Sequence, residues 1–186
     1  KDMKKKVLGL LLAGAMVVTS LSACGGKLMS IPYQPNLFAF FYNKDIFKQA
    51  GITAVPTTWD EFVDAAKKVK AAGFDAITSD DAYIVSMFGY HLSHLVGAEK
   101  ATDIVKNGKW DDPAVMQAAK DYEALAKDGL FSAQIGGNTW PAGQNTELAG
   151  GTAAMYLNGS WLPNEVRDIA AFEWGCFGYP SLKGDR

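Results

Sequence analysis

The chain has 186 residues, a hydrophobic fraction of 48% and a formal net charge of −2 at pH 7. This length fits one domain of ordinary size or a part of a larger protein, and the hydrophobic content is sufficient for a packed core. No basic run occurs beyond Lys4–Lys6, so the sequence lacks the electrostatic footprint of a nucleic-acid-binding protein. We therefore expect no nucleic-acid partner.

The first residues have the pattern of an export signal. Three lysines follow Met3, and a run of small and aliphatic side chains extends from Val7 to Val18. That run is shorter than the roughly 20 residues that a membrane-spanning helix needs, and it matches the apolar centre of a signal peptide.

The segment that closes this run, Leu-Ser-Ala-Cys at residues 21–24, resembles the lipobox of bacterial lipoproteins. The resemblance implies a signal peptide over residues 1–23, fatty acyl chains such as palmitate on Cys24, and a lipid-anchored position on the extracytoplasmic face of the cell membrane. Two or three acyl chains anchor a protein durably where a single chain is marginal. The alternative interpretation is an ordinary secretory signal with a chance cysteine.

The remaining cysteine and the histidines predict no metal or cofactor site. With Cys24 acylated, Cys176 has no partner, so we expect no disulfide and a small buried apolar side chain at Cys176. His91 and His94 are spaced i, i+3, a pattern that could orient a metal ion, but the sequence shows no third ligand near them. We interpret both as histidines on a helix face.

Short strands and helices alternate along the rest of the chain, which favours an α/β fold. Thr58 and Glu61 fit a capping box at the start of one helix, and Asp112 with Pro113 fits the start of another. The pattern predicts strands over 37–42, 74–78, 153–157 and 172–177, helices over 43–50, 58–73, 83–96, 99–106 and 112–129, a loop over 132–151, a turn at 158–159 and a helix opening at Ser160.

Several blocks in this order resemble family 1 extracellular solute-binding proteins. They are Tyr-Asn-Lys-Asp-Ile-Phe at 42–47, Ala-Gly-Ile at 50–52, Pro-Thr-Thr-Trp-Asp-Glu-Phe at 56–62, Gly-Thr-Ala-Ala-Met-Tyr at 151–156, Gly-Ser-Trp at 159–161 and Gly-Tyr-Pro at 178–180. The resemblance implies an α/β, periplasmic-binding-protein-like fold of type II. It also implies a monomeric binding protein, not an enzyme, that delivers mono- or oligosaccharides to the permease subunits of an ABC importer.

The chain departs from the family pattern at both ends. Residues 24–186 resemble mostly the second lobe of the two-lobe fold and the crossing segment between the lobes, joined to the signal near residues 26–27. We therefore expect an incomplete two-lobe fold and weak or undetectable sugar binding by this chain alone.

Sugar sites pair a flat aromatic ring with polar groups, because a pyranose has an apolar C–H face bordered by hydroxyls. Trp161, beside Ser160 at a predicted helix start, matches a family position whose aromatic ring often stacks on sugar. Plain core packing is the alternative for Trp161.

The remaining candidates come from other segments of the chain. Tyr33 and Asn36 lie in the crossing segment, although turn chemistry at the neighbouring prolines also explains Asn36. Trp140, in the predicted loop, and Tyr83, after a strand end, complete the expected ligand contacts.

Two further hypotheses stay open at this stage. An exported glycoside hydrolase would need two carboxylates on opposite walls of a cleft, but the paired acids at 60–61 and 111–112 fall in the first turns of helices, where carboxylates act as caps. The other hypothesis is a truncated fragment that does not bind ligand.

Overall fold

A computed structural model of the protein describes residues 36–140 and 142–182. The predicted signal peptide, the predicted lipidation site Cys24 and the candidate contact Tyr33 lie outside the described residues. Within the described part of the chain, no helix is both long enough and apolar enough to cross a membrane.

Strands and helices alternate along the described chain. In order they are β1 (Phe38–Asn43), α1 (Lys44–Gln49), α2 (Trp59–Ala71), β2 (Asp75–Thr78), α3 (Tyr83–Val96), α4 (Ala98–Asn107), α5 (Pro113–Lys127), α6 (Ala142–Ala149), β3 (Ala153–Gly159), α7 (Leu162–Val166) and β4 (Trp174–Phe177). The predicted α/β class is confirmed.

The four strands form one sheet in the order β2-β3-β1-β4. β2 runs parallel to β3, whereas β1 is antiparallel to both β3 and β4. Strands β2, β3 and β4 therefore point the same way, and their carboxyl ends share one edge of the sheet with the beginning of β1. We call this the carboxyl edge.

Side chains alternate between the two faces of the sheet. Phe40 of β1 lies opposite Leu157 and Phe177, and these three belong to the larger core, which helices α1 and α2 help to cover. Phe41 and Tyr156 face the other way, into a smaller core completed by Leu148 of α6 and by Leu162 and Val166 of α7.

The three helix starts with a predicted capping residue are confirmed. The Thr58 hydroxyl accepts a hydrogen bond from the Glu61 N–H (3.3 Å), and the Glu61 carboxylate accepts one from the Thr58 N–H (3.2 Å), which completes the capping box of α2. Asp112 caps α5 through the Ala114 N–H, with Pro113 in the first turn. Asn43 caps α1.

The predicted loop over 132–151 is wrong in its second half, where α6 forms. The buried side chains of α6 include the polar Gln144 and Asn145 beside Leu148 and Ala149, so the helix lacks the apolar stripe by which an amphipathic helix is recognised.

The predicted turn at Asn158 and Gly159 is also wrong. These are the last two residues of β3, paired with Ala39 and Phe38 of β1. The helix α7 then begins at Leu162, with Trp161 rather than Ser160 at the N-cap position.

The expectation of a buried Cys176 is wrong as well. The thiol is free and exposed because β4 pairs with β1 only and forms an edge of the sheet. Cys176 lies opposite Phe41, on the face of the sheet that carries the smaller core.

Both histidines lie on helix α3, as expected, and His91 is fully buried there. Its Nε2 lies 2.8 Å from Asp121 Oδ2 and its Nδ1 lies 2.9 Å from the Tyr179 hydroxyl. A carboxylate only accepts hydrogen bonds, so Nε2 carries the proton and Nδ1 accepts from Tyr179. This relay joins α3 to α5 and to the segment after β4. In the described residues, no group of three or more His, Cys, Asp or Glu side chains could hold a metal ion.

The buried relay predicts that stability falls as the pH is lowered through the range of histidine titration. Burial lowers the pKa of His91 below the ordinary value of 6.5, and Asp121 opposes this shift only in part. The unfolded chain therefore takes up the proton at a higher pH than the native chain does, so acidification favours unfolding. From about pH 7.5 to 5.5, we expect the free energy of unfolding measured by urea titration to decrease, by at most about 1.4 kcal/mol per pH unit.

Two glutamine variants test the assignment of this dependence to His91. His91→Gln removes the titrating group, so its stability should start lower and vary less with pH. His94→Gln, on the same helix, keeps the three relay groups and removes only the smallest of the causes that lower the pKa of His91, so most of the pH dependence of the parent should remain. Equal pH dependence in the parent and in His91→Gln would contradict the assignment.

Candidate ligand site at the carboxyl edge

Asp80 sets the start of α3 just beyond the carboxyl end of β2. Its Oδ1 accepts hydrogen bonds from the Ala82 and Tyr83 N–H groups, each at 2.8 Å. Its Oδ2 accepts a hydrogen bond from the Tyr156 hydroxyl at 2.7 Å, and burial raises the pKa of Tyr156 far above its usual range. One buried carboxylate thus fastens the first turn of α3 to β3 and fixes the position of Tyr83.

Four aromatic rings meet at the carboxyl edge, and we call them the aromatic cluster: Phe38, Tyr83, Tyr90 and Trp161. The ring centre of Phe38 lies 5.4 Å from that of Trp161, with the two planes at 90°. Phe38 also lies 6.0 Å from Tyr83 and 5.9 Å from Tyr90, and Tyr83 lies 6.4 Å from Trp161. Such tilted and edge-on contacts are favourable for aromatic pairs. All four rings are half-buried, so part of each remains open to solvent.

The raised pKa of Tyr83 is consistent with this half-buried position. Burial raises the pKa of the Tyr83 hydroxyl, and a hydrogen bond with the Trp161 side chain partly opposes the shift. The nearby Glu165 carboxylate raises the pKa further. Tyr83 therefore keeps its proton at neutral pH and can both donate and accept hydrogen bonds.

Gly159 makes room for the Trp161 indole. A methyl group on the Gly159 Cα would overlap three atoms of the indole six-membered ring. The ring therefore lies directly against the last residue of β3, opposite Phe38 of β1. Packing against the backbone limits the rotation of the indole and leaves it in a defined orientation at the edge of the sheet.

Polar groups border the aromatic cluster. The Ser160 N–H donates to the Leu37 carbonyl at 2.8 Å, which ties the end of β3 to the residues just before β1. Ser160 and the adjacent Asn36 are both exposed. The exposed Asp81 follows Asp80 on the neighbouring strand end. The site therefore combines flat apolar rings with hydroxyl, amide and carboxylate groups.

The structure brings four of the six predicted ligand contacts to this edge: Asn36, Tyr83, Ser160 and Trp161. Trp140 lies beside the loop that follows β2. Its backbone N–H donates a hydrogen bond to Asp81 Oδ1 at 3.4 Å, and the residue is 51% exposed. Among the described residues, no ring contact joins Trp140 to the aromatic cluster. Tyr33 lies outside the described residues.

A polar network around Glu147 of α6 holds the segment that leads to Trp140. The Glu147 carboxylate accepts hydrogen bonds from the Thr78 and Ser132 hydroxyls and from the Asn138 amide at 2.8 Å. Asn138 Nδ2 also lies 3.2 Å from the Ser79 carbonyl. Buried polar groups are costly unless they are hydrogen-bonded, and here one carboxylate satisfies three donors. Glu147 has a structural role in this part of the chain.

Sequence reasoning missed Phe38 and Tyr90 as members of the site. The apolar run over 37–42 predicts a strand that is buried on both faces, so Phe38 was expected in the core. Its ring is partly exposed because Phe38 is the first residue of β1. Tyr90 did carry a signal, because it follows Tyr83 by seven residues and such residues share one face of a helix.

The close approach of Gly159 and Trp161 makes a testable prediction. Gly159→Ala forces the indole away from β3, so we expect a loss of stability of about 1 to 3 kcal/mol and a weaker tryptophan signal in near-ultraviolet circular dichroism. In a Trp161→Ala background the same methyl group meets no ring. The Gly159→Ala change should then cost much less in a double-mutant cycle. Strict additivity of the two changes would show that the two residues do not touch.

The model of the family described as bacterial extracellular solute-binding protein matches residues 14–184 of the chain. Among curated relatives, the multiple sugar-binding protein of Streptococcus mutans is 29% identical over 170 residues, which cover 84% of this chain and 39% of the relative. The diacetylchitobiose binding protein NgcE of Streptomyces coelicolor is 24% identical over 166 residues, which cover 84% of this chain and 34% of that protein. The chain thus spans less than two fifths of the length of these relatives.

Comparison with solved structures identifies the fold. A chitin oligosaccharide binding protein is 27% identical with a TM-score of 0.75, and the match covers 91% of this chain and 47% of that one. The apo form of RafE from Streptococcus pneumoniae is 25% identical with a TM-score of 0.71, over 86% of this chain and 43% of RafE. These matches show the periplasmic-binding-protein-like fold, of which this chain forms a part. The chain belongs to the bacterial extracellular solute-binding protein family.

Proposed function

We propose that the chain captures a carbohydrate at the carboxyl edge, with one pyranose ring stacked on Trp161, as the substrate-binding component of an ABC importer. The observation that carries this proposal is the indole held against Gly159 and flanked by Phe38 and Tyr83. A half-buried aromatic ring that the backbone holds in place is suited to bind a flat apolar surface with little loss of side-chain freedom.

The chemistry of the surrounding groups suits a sugar. The C–H face of a pyranose matches the indole, and the hydroxyls around its rim need donors and acceptors. Ser160 and Asn36 provide both from the side of β1 and β3, and Asp81 provides an acceptor from the side of β2. In open α/β sheets ligands commonly bind outside the carboxyl ends of the strands, which is where these groups lie.

The names of related proteins support the same ligand class. The relatives from Streptococcus mutans and Streptomyces coelicolor are named for multiple sugars and for diacetylchitobiose, and one structural neighbour is named for chitin oligosaccharides. Carbohydrate is thus the shared element of these names, and we extend it to this chain as the proposed ligand.

The proposal includes how the protein is held at the cell surface. An acylated Cys24 would anchor the chain on the extracytoplasmic face of the membrane, where a monomeric receptor could pass its ligand to the permease subunits. Tyr33, in the crossing segment, remains a proposed ligand contact, as does Trp140.

The alternative of an exported glycoside hydrolase has less support. Glu61 and Asp112 are engaged in helix caps, and Glu147 is engaged with three donors. The family is described as one of binding proteins. We therefore propose binding without catalysis.

Substitution of Trp161 tests the proposed function. Because we expect only weak binding by this part of the two-lobe fold, titration calorimetry with maltose, raffinose, galactose and diacetylchitobiose is carried into the millimolar range, where at least one of these sugars should give heat of binding. Trp161→Ala should lower the affinity by about tenfold or more, because the ring that supplies the stacking contact is gone. Trp161→Phe should retain part of the affinity.

Trp110→Ala serves as the matched control. Trp110 is also partly exposed but lies in the turn before α5, away from the carboxyl edge, so the loss of its indole should leave affinity unchanged. Equal affinity in the parent and in Trp161→Ala would contradict the proposal.

A further inference from the structure

Glu165 carries an exposed carboxylate one helical turn after Trp161. Its N–H lies 3.4 Å from the Trp161 carbonyl, and residues four apart lie on one face of a helix. The Asn145 side chain of α6 donates from Nδ2 to Glu165 Oε2 at 3.0 Å, which holds this carboxylate in place. Glu165 therefore borders the aromatic cluster at Trp161.

The Asn145 amide leaves an unsatisfied acceptor beside this carboxylate. Asn145 is 6% exposed, and its Oδ1 has no hydrogen-bond partner among the described residues. A buried acceptor without a donor costs free energy. Oδ1 and Nδ2 belong to one amide, so the unsatisfied oxygen lies close to Glu165. An ammonium group has three N–H donors and no acceptor, so it is suited to both oxygens.

The charges around Tyr83 are negative. Glu165 and the buried Asp80 both raise the pKa of the Tyr83 hydroxyl, and the exposed Asp81 lies beside Asp80. Within residues 36–140 and 142–182, no ion pair joins any of these three carboxylates to a basic side chain. Carboxylates that no cation neutralises attract a positively charged ligand and repel a negatively charged one.

Two basic side chains from neighbouring segments do not neutralise Glu165. Arg167 follows it by two residues, a spacing that places the two on different faces of a helix, and Arg167 Nε lies 3.5 Å from Asp168 Oδ1. Lys106 of α4 lines a groove to which Trp161 does not contribute. The negative charge of Glu165 is thus left for a ligand.

The aromatic rings beside Glu165 favour the same kind of ligand. The face of an aromatic ring attracts a cation, most strongly for tryptophan. The rings of Trp161 and Tyr83 are half-buried and lie 6.4 Å apart, so each keeps part of its surface open. Indole, phenol and carboxylate groups together suit a ligand that has both an apolar ring face and a positive charge.

We propose that the carboxyl edge selects amino sugars, with the protonated amine of the pyranose that stacks on Trp161 bound by Glu165. The inference rests on the proposed function and narrows its substrate class from sugars in general to cationic sugars.

The test compares sugars that share one ring and differ in charge. Titration calorimetry on the full chain uses glucosamine, N-acetylglucosamine, glucose and glucose 6-phosphate at about pH 6.5, where a sugar amine is protonated. Glucosamine should bind about tenfold more tightly than glucose. N-acetylglucosamine should lose this gain because its nitrogen is uncharged, and glucose 6-phosphate should bind most weakly because its charge is negative.

Two glutamine variants assign the preference to one carboxylate. Glu165→Gln keeps an acceptor for the Asn145 amide but removes the charge, so the preference for glucosamine over glucose should fall to about twofold or less. Glu123→Gln removes the same charge from an exposed position of α5, where Glu123 pairs with Lys127, and should keep the preference of the parent.

Salt provides an independent measurement. Raising sodium chloride from about 0.02 M to about 0.5 M should reduce the preference of the parent for glucosamine, because counterions screen exposed charges. The affinity for glucose, which is uncharged, should change little.

Each contrary outcome has a distinct meaning. Equal affinity for glucosamine and glucose, a preference that survives in Glu165→Gln, or tighter binding of glucose 6-phosphate overturns selection by charge and leaves stacking on Trp161 intact. An equal loss of affinity for all four sugars in Glu165→Gln makes Glu165 an acceptor for hydroxyls and overturns selection by charge as well. A failure to bind any saccharide overturns the proposed function and this inference with it.

Discussion

The pairing of β1 with two strands is the constraint on which the rest of the structure depends. β1 lies between β3 and β4 and runs antiparallel to both. Because its direction is reversed, the beginning of β1 lies beside the end of β3, and Phe38 meets Gly159 across the ladder. Residues that are more than 100 positions apart in the chain thus form one surface, and the aromatic cluster exists only through this register.

Two small features turn that register into a rigid site. Gly159 lets the Trp161 indole lie against the strand, and Asp80 ties the start of α3 to Tyr156. Behind the cluster, His91 joins α3 to Asp121 and Tyr179, and Tyr179 in turn stacks on Tyr90. A fixed arrangement of rings loses little conformational freedom when it binds a ligand. Polar contacts in the interior therefore help to hold the rings of the candidate site in place.

Local signals in the sequence predicted much of the fold. The capping box at Thr58 and the Asp112 cap of the helix that begins at Pro113 depend on residues close in the chain, and both helices were placed correctly. α6 was missed because buried Gln144 and Asn145 stand where an apolar stripe is expected. Asn158 and Gly159 form a common turn pair, but pairing with β1 keeps them in the strand.

The candidate site could be predicted only in part, because some of its contacts join residues that are far apart in the chain. The family resemblance singled out Trp161, and the strand-end position singled out Tyr83. Phe38 joins the site through contacts between distant segments, which periodicity does not report, whereas Tyr90 lies on the same helix face as Tyr83. The exposure of Cys176 likewise follows from the edge position of β4 in the sheet, since an apolar local context cannot tell an edge strand from a central one.

The central claim is that a pyranose ring stacks on the indole of Trp161. The chain contains five tryptophans, so its indole N–H signals can be followed individually by ¹⁵N-edited nuclear magnetic resonance, which detects binding even at millimolar affinity. When a saccharide that binds is added stepwise, the account predicts that the Trp161 signal shifts until it saturates. The signals of Trp59 and Trp110 should stay in place. An unmoved Trp161 signal in a titration that shifts other signals would contradict it.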